Sequence, residues 1–218
     1  ALNGSALKGV IGVTHISAGS LENVRKIAAG ELEAGLVQAD IASFVTRGTT
    51  PLLPEEGSLP IRALASLYPE KFQFVVRSDA GINHFKDIRG KRISIDEEGS
   101  GSLAAMRIVL REHGITESDF QPVYLKPAFT EGKLRSGHLH GFSLMAGAPM
   151  EAVTTLRDLG VTLVSLDPSI ASGIHEKYPY LVPGTIEAGT YPTIPEVATI
   201  EVYALLVVHE RMDTDLAY

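Results

Sequence analysis

The 218-residue chain contains no cysteine and no tryptophan. Without cysteine there are no disulfides, thiol nucleophiles, iron–sulfur clusters or cysteine-ligated zinc. The absence suits a Gram-negative periplasm, where a stray thiol would be oxidised, although many cytosolic proteins share it. No apolar run reaches the length of about 18 residues that a transmembrane helix needs. Basic residues are few, 19 against 26 acidic ones, for a net charge of −7. A sequence-independent nucleic-acid binder needs a basic face, so the charge balance argues against that class. The pattern also lacks a Gly-x-Ser-x-Gly elbow, a Walker loop and a His-Glu-x-x-His helix. Residues 1–8 lack the basic region and apolar core of a secretory signal, so an exported form would already have lost its signal.

What is present is an ordinary globular balance, 44% hydrophobic and 21% charged. Short apolar runs alternate with helical stretches. Residues 10–17 read as a strand and 21–29 as a helix, with Ser20 as N-cap and Gly30 as stop. A strand at 34–38 and a short helix at 41–46 follow, then a proline-rich loop at 49–60. Two strands, 61–68 and 72–77, are separated by a turn. Beyond a short turn or helix at 85–90, strands are expected at 91–96, 121–125, 141–145 and 161–166. Helices are expected at 100–113, 129–136 and 149–159, and an apolar run closes the pattern at 202–208. This alternation implies a parallel-rich α/β fold. We expect two α/β lobes around a cleft, each with its own sheet. Residues 1–82 form the first, 83–188 the second, and 189–218 return to the first.

In open α/β sheets ligands bind at the carboxyl ends of strands, so each strand end is a candidate. Ser17-Ala18-Gly19-Ser20, followed by Asn23, opens a helix whose free N–H groups favour an anion; an ordinary capped turn reads the same way. Gln38 can donate and accept, while Asp40 either caps the next helix or meets a ligand. Gly99-Ser100-Gly101-Ser102 precedes the strongest helix. Gly99, Gly101 and Ala104 match dinucleotide-fingerprint spacing, but the next strand ends at Leu125-Lys126 with no acid to hold a ribose. The loop is better read as an anion seat built from backbone N–H groups and two hydroxyls. His138 and His140 could share one face, but no second ligand cluster accompanies them, so no metal and no cofactor are expected.

Taken together, these motifs resemble the TRAP-associated extracytoplasmic immunogenic (TAXI) family of solute-binding proteins. Ser17–Asn23 resembles its T-G-G-S-x-x-N turn. Residues 28–31, 38–40, 62–70, 87–93, 99–102 and 188–192 resemble further family segments in the same order. The resemblance implies a type II periplasmic binding fold, a periplasmic location, and no enzymatic activity. It further implies a monomer that captures a small organic acid or amino acid, often glutamate-like, and delivers it to TRAP membrane permease subunits driven by an ion gradient. The family's usual first strand and G-G-T-x-x-x-Y loop precede the point where this sequence starts, and its terminal helices follow the point where it stops. An incomplete first lobe is therefore expected. His140 lies near a position where the family often has aspartate.

On this reading the ligand's carboxylate sits on the N–H groups of Gly99–Ser102, with Ser17, Ser20 and Asn23 facing it across the cleft. Gln38, Asp40 and Tyr68 orient its polar body and Tyr191 closes the rim. The rival readings are a binding protein of an ATP-driven transporter, an enzyme on the same fold, and a ligand-sensing domain.

Overall fold

Local signals place most of the elements that the computed structural model shows over residues 12–48 and 58–213. Helix α1 (Ser20–Ala28) is capped by Gly19, whose φ of 139° suits glycine, so Ser20 is the first helical residue and not the cap. Strand β1 (Ala34–Gln38) has the expected bounds, and α2 (Ala39–Arg47) ends on Gly48 in the left-handed conformation. Residues 12–17 carry no strand; 10 and 11 lie outside the described residues, as do 49–57 of the expected loop.

The two strands expected around a turn are one strand, β2 (Ile61–Arg77). Its pairing with the last strand shifts register between Ala63 and Ala65 and again between Ser66 and Pro69. Pro69 has no N–H to give a ladder, and such an irregularity is where a strand tolerates it. Next come β3 (Arg92–Ser94), α3 (Gly101–Glu112), β4 (Gln121–Val123), α4 (Glu131–Arg135) and β5 (Gly141–Ala146). The helix expected over 149–159 is only α5 (Glu151–Thr154) followed by a 3-10 turn, and β6 is short (Val161–Leu163). Two elements were not expected: α6 (Pro168–Lys177) and β7 (Val182–Ile186). Strand β8 (Val197–His209) contains the late apolar run.

Among the described residues eight strands form one sheet, in the order β1-β8-β2-β5-β3-β4, with β6 on β2 and β7 on β8. The α/β class stands, but the sheet is mixed. Only β3–β4 and β3–β5 are parallel, because the long β8 and β2 run antiparallel to their partners. Nor does each block own a separate sheet. One half of β2 pairs with β8 and the other with β5 and β6, so a single ladder threads both blocks.

The apolar residues follow that division. Val24, Ile27, Val37, Ile41, Val45, Ile61 and Val207 pack beneath α1 and α2. Leu103, Met106, Ile108 and Val109 of α3 pack on Phe72, Phe74, Ile93 and Ile95. Residues 101–110 of α3 are buried except for the half-buried Arg107, so this helix is covered on nearly every side. Each such Leu, Ile or Phe contributes about 1.5–3 kcal/mol, and α3 is thereby held rigidly with its N-terminus at the ends of β3 and β5.

Candidate ligand-binding site

Strand β3 lies between β4 and β5, and the chain leaves it through α3 to β4, then crosses back through α4 to β5. Connections diverging from neighbouring strands leave a crevice at their carboxyl ends. A cleft of about 570 Å³ lies there, bounded by Asp96 after β3, Lys126 after β4 and Met150 before α5, with Ser17 and Ala18 from the first block completing the wall.

Lys126 is its cation. Its Nζ donates to the Ser17 carbonyl at 2.9 Å and pairs with Glu97 Oε1 at 2.9 Å, tying the first turn to the second block. Asp96 is buried and holds φ at +70°, a left-handed conformation uncommon outside glycine and a frequent mark of a functional turn. Burial pushes its carboxyl up. The Glu97 N–H and then the Ser102 hydroxyl pull it back, Glu97's own charge adds to the rise, and the Ser100 hydroxyl lowers it slightly.

The turn containing Ser17–Ser20 and the loop Gly99–Ser102 do meet, and they meet in contact. The Leu21 N–H donates to the Gly99 carbonyl at 3.1 Å, and a Cβ on Gly19 would stand 3.1 Å from Ser100 Cα. Ser100 Oγ accepts from the Leu103 N–H, the capping role, and Ser102 Oγ accepts from the Met145 N–H of β5, both at 3.0 Å. With Asp96 beside both hydroxyls, the N-terminus of α3 already has a carboxylate of its own, and the open space with a cation lies next to Lys126.

Behind this seam stands a buried polar cluster. The Gln38 N–H donates to Ser20 Oγ at 3.1 Å, and Gln38 Nε2 donates to Glu70 Oε2 at 2.7 Å. Asp40 is fully buried; its Oδ1 accepts from the Ile41 N–H at 2.8 Å, inside α2 and not as its cap. Gln38 Oε1 and Asp40 Oδ2 have no hydrogen-bond partner. Burial, with Glu70 as a nearby like charge, pushes the Asp40 carboxyl up to about 7, against the downward pull of backbone N–H groups. Burial also raises Glu70, while the Gln38 amide lowers it. Tyr68, half-exposed beside Glu70, is raised by burial and then by that carboxylate.

Two expected site residues are placed elsewhere. Asn23 does not face the Gly99–Ser102 loop; its Nδ2 donates to the Leu36 carbonyl of β1 at 2.8 Å. Tyr191 does not close a rim. It is buried, accepts from the Met150 N–H at 2.8 Å and donates to Gln73 Oε1 at 2.5 Å. The paired histidines serve the backbone and a neighbouring serine. His140 Nδ1 accepts from the Arg92 N–H at 3.0 Å and His138 bonds Ser136 Oγ at 2.8 Å. Among the described residues no cluster of three or more His, Cys, Asp or Glu could hold a metal ion, and no helix is long and apolar enough to cross a membrane.

Lys126, Asp96 and Glu70 were not singled out from sequence. Lys126 ends a strand and was legible as a cation at a site-bearing position. The backbone turn of Asp96 has no local signature, and Glu70 reaches Gln38 across 32 residues of chain.

This arrangement is the fold of periplasmic solute-binding proteins. Residues match the alkanesulfonate-binding protein SsuA from Xanthomonas axonopodis pv. citri bound to MOPS with a TM-score of 0.53, at 14% identity, covering 91% of this chain and 55% of that one. An ABC transporter periplasmic binding protein from Brucella ovis with glutathione bound matches at 0.50 and 16% identity, covering 94% and 50%. The chain thus spans about half the length of the solved proteins it matches. The chain belongs to the NMT1-like family, whose model matches residues 5–218. A guanylate kinase from Schizosaccharomyces pombe is 33% identical over 75 residues, 34% of this chain and 37% of that protein. That stretch is short, and the sequence has no G-x-x-x-x-G-K-[ST] phosphate loop.

Proposed function

We propose that this chain is the extracytoplasmic solute-capture component of an uptake system, acting in the periplasm on a small organic acid or amino acid. The observation that carries the reading is the cleft at the carboxyl ends of β3, β4 and β5, with Lys126 as its cation and the Ser17–Ala18 turn, which Lys126 touches, completing its wall. A ligand carboxylate beside Lys126 would compete for the ammonium now shared by the Ser17 carbonyl and Glu97, and would touch both blocks at once. Contact with both is what allows a ligand to shift the balance between open and closed forms. We assign residues 1–82 with 189–218 to one lobe and 83–188 to the other, β2 and β8 serving as the strands between them.

The ordered motifs shared with the TAXI family favour a TRAP permease as the partner. The fold alone suits an ATP-driven transporter equally, as the ABC transporter binding protein from Brucella ovis illustrates. Capture without turnover is the reading we favour: Asp96 and Glu97 are each held by neighbours, Asp96 by the Glu97 N–H and Glu97 by Lys126.

A thermal-shift screen of organic acids and amino acids tests the reading, because a ligand that binds only the folded state raises apparent stability by mass action. The expected result is a saturable rise with at least one small carboxylate, that compound being recovered unchanged. Conversion of the bound compound would replace capture with catalysis. Reconstitution with a fused permease would then separate ion-driven from ATP-driven uptake.

A further inference from the structure

Met150, Glu151, Ala152 and Thr155 line the cleft, and all lie on or just after the loop that leaves β5 at Ala146. That stretch has little to hold itself in place. Helix α5 has 4 residues, about one turn, and its N-cap Met150 makes no side-chain cap bond. A Cβ on Gly147 would meet no atom of the described residues within 4 Å. Both ends of the loop are nevertheless bonded from behind. Gln73 Nε2 donates to the Ala146 carbonyl at 3.2 Å, and the Met150 N–H donates to Tyr191 Oη at 2.8 Å. The Tyr191 hydroxyl then donates to Gln73 Oε1 at 2.5 Å, which joins the two bonds into one chain. Its proton order is fixed. A backbone N–H only donates and a carbonyl only accepts, so the tyrosine hydrogen and the amide orientation each have one consistent place. Gln73 and Tyr191 are both buried, where a hydrogen bond is strong and a lost partner is costly.

We propose that Gln73 and Tyr191 are positioning residues of the capture site: they clamp the β5–α5 loop from behind and so fix the wall that Met150 presents to the ligand. The proposal rests on the capture reading above and adds a control on that site from two side chains that do not line it. Gln73 lies on β2 and Tyr191 shortly before β8, the two strands assigned above to run between the lobes. A shift of β2 against β5 therefore reaches the cleft wall through two hydrogen bonds. The Tyr191 ring belongs to the same apolar cluster as Val153 and Leu156, with Ala146, Ala148 and Met150 packed against it, so packing aims the hydroxyl. Supporting side chains locked in this way hold a site to within about 0.5 Å. The turn that delivers Tyr191 keeps Thr193 at φ +73°, a left-handed conformation costly for a β-branched residue and retained only where the surroundings over-determine it.

The chain has 4 methionines, so methyl NMR of the whole protein reads Met150 directly, and isothermal titration reads binding. The probes are L-glutamate, glutarate, L-alanine and pyruvate. In the parent, the Met150 methyl should shift on titration with a probe that binds. Tyr191→Phe leaves the Met150 N–H and Gln73 Oε1 unpaired, so it should move or broaden that resonance before any probe is added and weaken binding about tenfold or more. Gln73→Met keeps the volume and removes both side-chain bonds, and it should act in the same direction if the tyrosine variant folds poorly. Ile186→Val is the control. It thins the same buried cluster without touching the loop's bonds, so it should lower the denaturation midpoint and leave binding within about twofold of the parent. Folded Tyr191→Phe and Gln73→Met proteins that bind like the parent, with the Met150 methyl unmoved, would overturn the clamp and leave capture standing. Equal weakening in Ile186→Val would overturn it too, by showing that general loosening is enough. A parent that binds none of the four probes overturns the capture reading and the clamp's role with it.

Discussion

Gln38 lies against Gly101, and a Cβ at Gly101 would stand only 2.5 Å from the Gln38 carboxamide carbon. Here the end of β1 meets the first turn of α3, so a side chain from one block packs on the bare backbone of the other. Gly101 is needed for space and not for its dihedral angles, since its φ is not positive.

Gly101→Ala should therefore displace the whole carboxamide and break its 2.7 Å bond to Glu70. Overpacking of this kind costs about 1–3 kcal/mol, offset in part by alanine's better helix propensity of up to about 1 kcal/mol. Urea denaturation should show a net loss of about 1 kcal/mol or more, and Gln38→Ala in the same protein should recover part of it. Contacting residues couple, so the double-mutant cycle measures the contact directly. A Gly101→Ala protein as stable as its parent would show that Gln38 has another low-energy position.

Ser102 belongs to the core as much as to the loop. It is buried, and its hydroxyl accepts the Met145 N–H at 3.0 Å. Although Ser102 sits in a small-residue loop at a helix start, Ser102→Asp would not spare the fold: the added charge would be buried against β5. Ser102→Ala should cost about 1–3 kcal/mol by leaving a buried N–H unpaired. Ser100→Ala, which removes a helix cap, should cost about 0.5–2 kcal/mol. Amide exchange gives a sharper readout than overall stability. Met145 should lose protection in Ser102→Ala and keep it in Ser100→Ala, and equal protection in both would refute the assignment.

Much of this was legible because short elements carry their own punctuation. Gly30 and Gly48 end helices, Ser100 caps α3, and β1 has the bounds its apolar run suggests. Helix α6 carried a readable signal as well: Asp167 caps it through the Ser169 N–H at 2.8 Å, and Pro168 occupies the first turn, where a missing N–H is harmless. Strand β2 was not legible as one piece. Pro69 reads locally as a break, and only the irregular pairing with β8, more than a hundred residues away, lets the strand continue. The site divides in the same way. Its small-residue turns announce themselves, whereas the donor shortage at Gln38 and Asp40 exists only once Glu70 has been folded against them.

The last prediction concerns stability and pH. Asp40 is fully buried and its carboxyl is raised from 3.8 to about 7, first by burial. Below about pH 3.8 the folded and unfolded chains both hold the proton, and the group makes no difference to stability. Between 3.8 and about 7 the unfolded chain has released it while the folded chain retains it, so rising pH favours unfolding. Above about 7 the cost is complete, with a ceiling of about 4 kcal/mol. Asp40→Asn keeps an oxygen for the Ile41 N–H and removes the titration. The variant should match its parent near pH 4 and gain stability steadily toward pH 8, a gain read as a growing difference in denaturation midpoint. A gap of equal size at pH 4 and pH 8 would mean that Asp40 is not the group that titrates.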